Sequence, residues 1–172
     1  MSLRRKTATA AMVIALGAGA ALTASPASAS NSYNGLAYVQ GSGTFTDDWQ
    51  DEGRLSTGEN TYSNATCLWQ KILWAEGKLA WNSIDGIFGP ATQSATKIWQ
   101  TLHGTDDDGV VGSGTFTRAG YHLIDSNGDG AVDTYRGSSN SFLVSRDADG
   151  HYLFYDRTGA KRAAGYNYRT CA

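Results

Sequence analysis

The sequence predicts an α+β fold in which a small three-helix bundle is followed by a C-terminal antiparallel β extension. Three observations support this class. Apolar residues recur at helical spacing over residues 62–119. From Tyr121 onward, apolar and polar residues alternate with the period of a strand. The phrase Asp-Gly-x-x-Gly-x-x-Thr occurs twice, at residues 85–92 and 108–115, and a predicted helix begins within each copy.

The first predicted helix begins at Ser63 or Asn64, either of which can cap it, and ends at Gly77. Its apolar residues are Cys67, Leu68, Trp69, Ile72 and Leu73. The second begins at Pro90, a residue favoured in the first helical turn, and ends at Gly104. Its expected apolar stripe consists of Ala91, Ala95, Ile98, Trp99 and Leu102. A short third helix covers residues 113–119, with Phe116 directed inward.

The C-terminal part predicts strands. Residues 141–146 and 151–156 alternate on either side of an Asp-Ala-Asp-Gly turn, which predicts a hairpin. Residues 161–168 are expected to add a third strand. Residues 30–60 are rich in Gly, Ser, Thr and Asp, and both a small hairpin and an ordered coil against the core are compatible with them.

The N-terminal residues 1–29 have the layout of a cleaved secretory signal. Residues 4–6 are basic, residues 7–24 are apolar and rich in Ala, and a small-x-small pattern ends at Ala29. A membrane anchor is the less favoured alternative, because the apolar stretch is mostly Ala and Gly. We therefore expect a secreted protein with an N-terminal extension (30–61), a helical domain (62–119) and a β extension (120–172), in which residues 120–172 form a hairpin or meander.

The net charge and the cysteine content limit the classes of binding partner that the sequence predicts. Without the three basic signal residues, 11 Lys and Arg residues remain against 16 Asp and Glu residues, which gives a net charge of −5. An acidic chain with no basic stripe is a poor candidate for nucleic acid or for an anionic membrane surface. In an oxidising compartment, the two cysteines Cys67 and Cys171 predict a disulfide. We expect a monomer with no membrane contact after signal cleavage.

The repeated phrase is suited to starting a helix over a core. Asp satisfies backbone N–H groups of a tight turn, and the following Gly accepts positive φ. The two apolar residues after it are expected beneath the helices. Thr92 and Thr115 fall in the first helical turn, where a hydroxyl can accept from free amides.

Several motifs keep one order along residues 62–119. They are Trp69-Gln70-Lys71-Ile72-Leu73, Gly77, the phrase at 85–92, Ala95, Trp99-Gln100 and the phrase at 108–115 with Phe116. This combination resembles the peptidoglycan-binding domain family of the three-helix type, which carries a Leu-Gln helix, an Asp-Gly-x-Phe-Gly-x-x-Thr turn, an aromatic-Gln helix end and a second such turn. Trp69 replaces the usual Leu, and Thr105 stands where an apolar residue is common. The resemblance implies a bundle that binds bacterial cell-wall peptidoglycan.

A binder of peptidoglycan needs aromatic side chains for the sugar faces and a few polar groups. Trp74 and Trp81 flank the link between the first two helices, and Tyr62, Asp85 and Gln100 are candidate polar contacts nearby. Packing in the core is the alternative for both tryptophans. Aromatic residues of the C-terminal strands form a second candidate surface or cover the bundle; they are Tyr152, Phe154, Tyr155, Tyr166 and Tyr168.

Enzymatic motifs are weak. His103, His122 and His151 have none of the short spacings typical of zinc sites, so a zinc peptidase built from them with an Asp is disfavoured. Ser94 and Lys97 match S-x-x-K, but the companion motifs of penicillin-recognising enzymes are absent.

Acidic residues suggest two further alternatives. Asp47, Asp48, Asp51 and Glu52 surround Trp49, and the cluster is either a glycosidase-like acid pair or a solvated loop. Trp49 is expected to stack on a sugar or to cover the core. Asp125, Asn127, Asp129 and Asp133 occupy positions 1, 3, 5 and 9 of a calcium loop, but position 12 is Arg136. An Asp- and Gly-rich turn is favoured there over weak calcium binding, and no other cofactor is expected.

The combined motifs and the signal predict a secreted, non-enzymatic bacterial protein that binds peptidoglycan, outside the cell or associated with the cell wall. Two alternatives stay open. One is a wall hydrolase or carboxypeptidase whose active site lies in the flanking segments. The other is a secreted structural or protein-binding factor without affinity for the wall.

Overall fold

The computed structural model describes residues 37–171. The predicted signal peptide, residues 1–29, and the first residues of the N-terminal extension, 30–36, lie outside the described residues. Within the described part, three helices are followed by five strands, which confirms the α+β class. None of the described helices combines the length and the apolar character that crossing a bilayer requires.

The three helices are α1 (Asn64–Ala75), α2 (Pro90–His103) and α3 (Ser113–Gly120). Ser63 caps α1 by accepting a hydrogen bond from the Thr66 amide at 3.0 Å. Gly104 ends α2 in the left-handed conformation, at φ 69°. These boundaries confirm the predicted helices. Two short 3-10 helices, Asp48–Gln50 and Trp81–Ser83, lie in the connections.

The expected apolar stripe of α2 is wrong at three positions. Ile98 is 52% exposed, Leu102 is 62% exposed, and Ala91 is also on the surface. The buried face of α2 consists of Thr92, Ala95, Thr96, Trp99 and Gln100. Polar side chains take inward positions here because they have partners: Thr96 Oγ1 accepts from Trp69 Nε1 at 2.9 Å.

The five strands form one antiparallel sheet in chain order: β1 (Leu123–Ile124), β2 (Thr134–Arg136), β3 (Ser141–Arg146), β4 (Tyr152–Tyr155) and β5 (Lys161–Ala163). The β3–β4 hairpin confirms the predicted one, with Val144 opposite Phe154. The predicted third strand is shorter than expected, and β1 and β2 were not predicted. One face of the sheet is buried, through Leu123, Tyr135, Phe142, Val144, Tyr152 and Phe154.

The N-terminal segment, residues 37–61, is an ordered coil across the bundle and the sheet, so of the two alternatives the coil is the correct one. Isolated bridges join Tyr38 to Gly165 and Leu55 to Val111. Trp49 is fully buried, with its ring centroid 5.9 Å from that of Phe116 in α3 and 5.1 Å from that of Tyr152 in β4. Trp49 therefore covers the core and is not available to stack on a sugar.

A disulfide links Cys67 in α1 to Cys171, across 104 residues of sequence. This confirms the predicted pair. The bond attaches the C-terminal tail to the first turn of α1.

Candidate functional site

The first copy of the repeated phrase surrounds the amide of Gln70, which projects from α1. Gln70 Nε2 donates to Asp85 Oδ1, the Ile87 carbonyl and Thr92 Oγ1 at 2.9–3.0 Å. Gln70 Oε1 accepts from the backbone N–H groups of Asp85 and Gly86 at 2.9 and 2.7 Å. We call Gln70 and this turn the first amide clamp.

The second copy repeats the arrangement around Gln100, which projects from α2. Gln100 Nε2 donates to Asp108 Oδ1, the Val110 carbonyl and Thr115 Oγ1, at 3.2, 2.8 and 3.1 Å. Gln100 Oε1 accepts from the Gly109 amide at 2.9 Å. Gly86 and Gly109 both have positive φ, 72° and 76°, as the turns require. We call Gln100 and its turn the second amide clamp.

The two clamps explain why the phrase is repeated: each copy fixes a helix start to the glutamine of the preceding helix. The threonine hydroxyls thus accept from glutamine amides. Two predicted ligand contacts are used inside the clamps. Gln100 is 1% exposed, so its amide is not presented to a ligand, and Asp85 Oδ1 accepts from Gln70 and from the Ile87 amide.

The predicted aromatic contacts lie near the end of α1 and in the connection that follows it. Trp74 and Trp81 meet edge to face, with ring centroids 4.8 Å apart, and Trp81 is 41% exposed. We call this pair the aromatic patch. Arg157 donates to the Asn82 carbonyl at 3.2 Å, which ties the short helix that carries Trp81 to the sheet. Tyr62 is also exposed, and its backbone pairs with Ile87 of the first clamp.

Lys71 supports the aromatic patch from below. Its Nζ lies 5.1 Å from the ring centroid of Trp81 and 5.0 Å from that of Phe142, and it donates to the Tyr155 carbonyl. Burial lowers the pKa of Lys71 to about 8, although Asp156 opposes the shift. The ammonium beneath the exposed indole fixes the ring by a cation–π contact.

The acidic cluster of the N-terminal segment is divided by the fold. Asp47 and Asp51 are exposed, whereas Asp48 and Glu52 are buried. Asp48 accepts from the Tyr152 hydroxyl and from Arg146, at 2.5 and 3.1 Å. Burial raises the pKa of Asp48.

Glu52 is the more deeply buried of the two carboxyls, at 1% exposed. It accepts from the Tyr166 hydroxyl at 2.6 Å and from the Gln40 amide at 2.8 Å. Burial raises its pKa to about 8, despite these hydrogen bonds. Both buried carboxyls hold the N-terminal segment against the C-terminal strands and tail.

The predicted calcium loop turns its oxygens onto its own backbone. Asp125 accepts from the amides of Gly128 and Gly130 at 2.6 and 2.7 Å, and Asp133 accepts from the Ser126 amide and hydroxyl. These hydrogen bonds, from Gly130 and Ser126 first, lower the pKa of both aspartates. Asn127 donates to Asp129 at 3.2 Å. Calcium binding at Asp125, Asn127, Asp129 and Asp133 stays a prediction.

The remaining candidate catalytic and metal-binding residues lie in different parts of the structure. Ser94 and Lys97 are both on the outer surface of α2. His103 and His122 come together, with ring centroids 5.5 Å apart, and His151 pairs with Asp147 at 3.1 Å. The histidine pair has no local signal in the sequence, since the two residues lie 19 positions apart.

Residues 64–119 match one family model, described as "Putative peptidoglycan binding domain". The matched range begins at the first residue of α1 and ends within α3, so it contains the three helices and both clamps. The aromatic patch also lies inside it. No curated protein and no solved structure matches the chain. The peptidoglycan-binding domain thus supports peptidoglycan as the partner and is consistent with association with the cell wall.

Proposed function

We propose that this chain is a secreted, non-enzymatic protein whose helical domain binds bacterial cell-wall peptidoglycan. The observation that carries the proposal is the match of residues 64–119 to the peptidoglycan-binding domain, because this range coincides with α1–α3. The signal-like residues at the N-terminus support export. The disulfide is of the kind that persists in an oxidising compartment.

The aromatic patch is the surface that we assign to the glycan. Sugar rings have apolar faces that pack on exposed indoles, and Trp81 offers such a face at the surface. Lys71 and Trp74 hold this ring from two sides, so it is ordered before a ligand arrives. A polymeric, insoluble ligand suits a shallow exposed surface of this kind.

The non-enzymatic part of the proposal is supported by the way in which the acidic candidates are used. A glycosidase needs two carboxyl groups that flank the scissile bond of its substrate: one with a raised pKa, which acts as the acid, and one that is ionised. Asp48 and Glu52 instead accept hydrogen bonds from Tyr152 and Tyr166, which come from other segments of the same chain. This supports a structural role for both carboxyls.

The test is sedimentation of the mature protein, residues 30–172, with purified insoluble peptidoglycan, followed by analysis of pellet and supernatant. We expect protein in the pellet and no released muropeptides. Released fragments would indicate a hydrolase, and protein left in the supernatant would indicate a scaffold without wall affinity.

A pair of matched variants locates the surface. Trp81→Ala removes the exposed indole of the aromatic patch, and we expect binding to fall by more than about tenfold, as for other stacking aromatics. Tyr121→Ala removes a similarly exposed ring outside the matched range and should leave binding unchanged. Equal losses in both variants would contradict the assignment of the patch.

A further inference from the structure

The carboxyl-terminal ends of the three helices meet around three side chains with metal-binding atoms. Glu76 caps the end of α1, His103 is the last residue of α2, and His122 follows α3 by two residues. One ligand atom from each of the three residues lies within 4.8 Å of the others. The residues come from three separate parts of the chain, so only the fold brings them together.

Each histidine ring is oriented by a backbone carbonyl and by an aromatic ring. His103 Nδ1 lies 2.8 Å from the Trp99 carbonyl oxygen, and His122 Nδ1 lies 3.2 Å from that of Arg136. A carbonyl oxygen only accepts, so the neutral His103 ring carries its hydrogen on Nδ1 and its lone pair on Nε2, the arrangement that outer hydrogen bonds impose on metal-binding histidines. His122 Nδ1 faces both the Arg136 carbonyl and, at 3.8 Å, Glu76 Oε1.

The third group is a buried carboxylate that lacks a strong cationic partner. Glu76 is 2% exposed and accepts from the Tyr135 hydroxyl and the Ser138 amide, both at 3.1 Å. Among the described residues, the only basic side chain within 4.0 Å of its carboxylate is His122, at 3.8 Å. A buried negative charge is costly unless a cation lies beside it.

We propose that Glu76, His103 and His122 bind one divalent transition-metal ion of the Zn²⁺ class. Two imidazoles and one carboxylate form a donor set that suits this ion. Bonds of about 2.1 Å in a tetrahedral site place two ligand atoms about 3.4 Å apart. The three atoms must therefore approach one another by no more than about 1.4 Å. The negative ends of three helix dipoles favour the cation at this point.

The site retains an open coordination position. The three side chains line an open groove of about 420 Å³, together with Lys78, Leu102 and Arg136. A fourth ligand, water or a small anion, has access from this side. The two basic side chains at the rim would attract an anionic fourth ligand to the bound ion.

Another group of potential ligands provides a control. Asp147, Asp149 and His151 also bring ligand atoms within 4.8 Å of one another, but they lie in a hairpin turn in which Asp149 is exposed and Asp147 is only half-buried. Asp147 accepts from the His151 amide within that turn, at 2.9 Å. Exposed acidic turns of this type are common without a metal, so His151 serves as the matched histidine for substitution.

The experiment measures Zn²⁺ binding to the mature, disulfide-bonded protein by calorimetry, with metal content after dialysis as a second readout. We expect one ion per chain. His103→Gln and His122→Gln should each weaken binding by more than about tenfold. His151→Gln should leave it unchanged. Glu76→Gln should weaken binding as well, and its folding is checked by near-UV circular dichroism.

Replacement of Zn²⁺ by Co²⁺ tests the ligand geometry without any substitution, through the visible absorption of a four-coordinate Co²⁺ ion. Absence of saturable binding in the wild type would overturn the proposal. Unchanged affinity in the His103→Gln/His122→Gln double variant would overturn it too, as would loss of binding in His151→Gln alone. Sedimentation with peptidoglycan, with and without Zn²⁺, shows separately whether wall binding depends on the ion.

Discussion

Two regions of the molecule are joined by different chemistry. In the helical domain, the neutral amides of Gln70 and Gln100 hold the two repeated turns. Between the N-terminal segment and the C-terminal region, the carboxyls of Asp48 and Glu52 accept from tyrosine hydroxyls. Both arrangements satisfy buried polar groups, but an amide does not titrate and a carboxyl does. The contribution of the carboxyl contacts to the free energy of unfolding should therefore depend on pH, and that of the two clamp glutamines should not.

The largest effect is expected from the disulfide, because it connects the helical domain to the C-terminal tail. The Cys67→Ser/Cys171→Ser variant opens a loop with a sequence separation of 104 residues. In the chain-entropy model, this lowers the free energy of unfolding by about 4.7 kcal/mol. Guanidinium unfolding measures the loss, and reduction of the wild type should reproduce it.

The disulfide lies beside the first amide clamp. A Cβ at Gly86 would lie 2.7 Å from Cys171 Sγ, so the bond packs directly on the first clamp. At Gly109 of the second clamp, the nearest atoms belong to Gln93 and Lys97. In the cysteine-free variant, hydrogen exchange of the Gly86 amide should accelerate more than that of Gly109. Equal acceleration would show that the tail does not support the first clamp.

The second largest effect concerns the clamps themselves. Gln70→Ala leaves the amides of Asp85 and Gly86 without their acceptor, whereas Gln100→Ala leaves the Gly109 amide without its own. At about 1–3 kcal/mol for each unsatisfied buried group, we expect losses of about 3 kcal/mol for Gln70 and about 2 kcal/mol for Gln100. Denaturant midpoints at pH 5 and pH 8 provide the measurement.

Both losses should be the same at the two pH values, because no clamp glutamine titrates. The surface substitution Thr101→Ala, on α2, is the control for helix substitution and should cost less than about 0.5 kcal/mol. A loss that differs strongly between pH 5 and pH 8 would contradict the pH independence of the two clamps.

The third effect is the pH dependence of the carboxyl region. Glu52 has a pKa of about 8 in the folded protein and an ordinary value near 4.5. Between these values the folded state keeps a proton that the unfolded chain has released, so stability falls as pH rises from about 4.5 to 8. The raised pKa of Asp48 acts in the same direction. We expect the wild type to lose on the order of 2 kcal/mol between pH 5 and pH 8.

Glu52→Gln removes the titrating group and should flatten this part of the profile, which denaturant midpoints at unit pH intervals will show. Measurements should stop at pH 8. Above it the lowered pKa of Lys71, about 8, adds stability as pH rises, because the unfolded chain still binds that proton. An equally steep fall in Glu52→Gln would assign the pH dependence to another group.

The two regions also differ in how well the sequence predicted them. Ser63, Pro90 and Gly104 are local signals, so the helix boundaries were predicted correctly. The repeated turns are recognisable as helix starts, but their glutamine partners are not. Gln70 lies 15 positions before Asp85 and Gln100 lies 8 positions before Asp108, and both separations exceed the reach of a tight turn or of helical i,i+4 spacing. The contact of Glu52 with Tyr166 spans 114 residues and has no local signal at all.

The same distinction applies to the candidate sites. Trp74 and Trp81 could be predicted as ligand contacts because they are not needed for the apolar stripe of α1, to which Leu68 and Ile72 belong. Gln100 is predicted to contact a ligand because its side chain is polar, but its hydrogen-bond partners lie within the second clamp. The strands β1 and β2 have two and three residues, too few to show a period.

The smallest effect is expected from deletion of one hydroxyl in each region. Tyr166→Phe removes the donor to Glu52 and the acceptor of the Gly53 amide, and Thr115→Val removes an acceptor of Gln100. At pH 5 we expect a loss of about 1 kcal/mol for Thr115→Val, which removes one acceptor, and of about 2 kcal/mol for Tyr166→Phe, which removes two hydrogen bonds. Thr115→Val should lower the free energy of unfolding by the same amount at pH 8.

Tyr166→Phe should lower it more at pH 8 than at pH 5. The Tyr166 hydroxyl lowers the pKa of Glu52, so its removal makes ionisation of Glu52 in the folded state costlier. A pH-independent loss in Tyr166→Phe would show that Glu52 does not govern the pH response of this region, whatever the size of the loss itself.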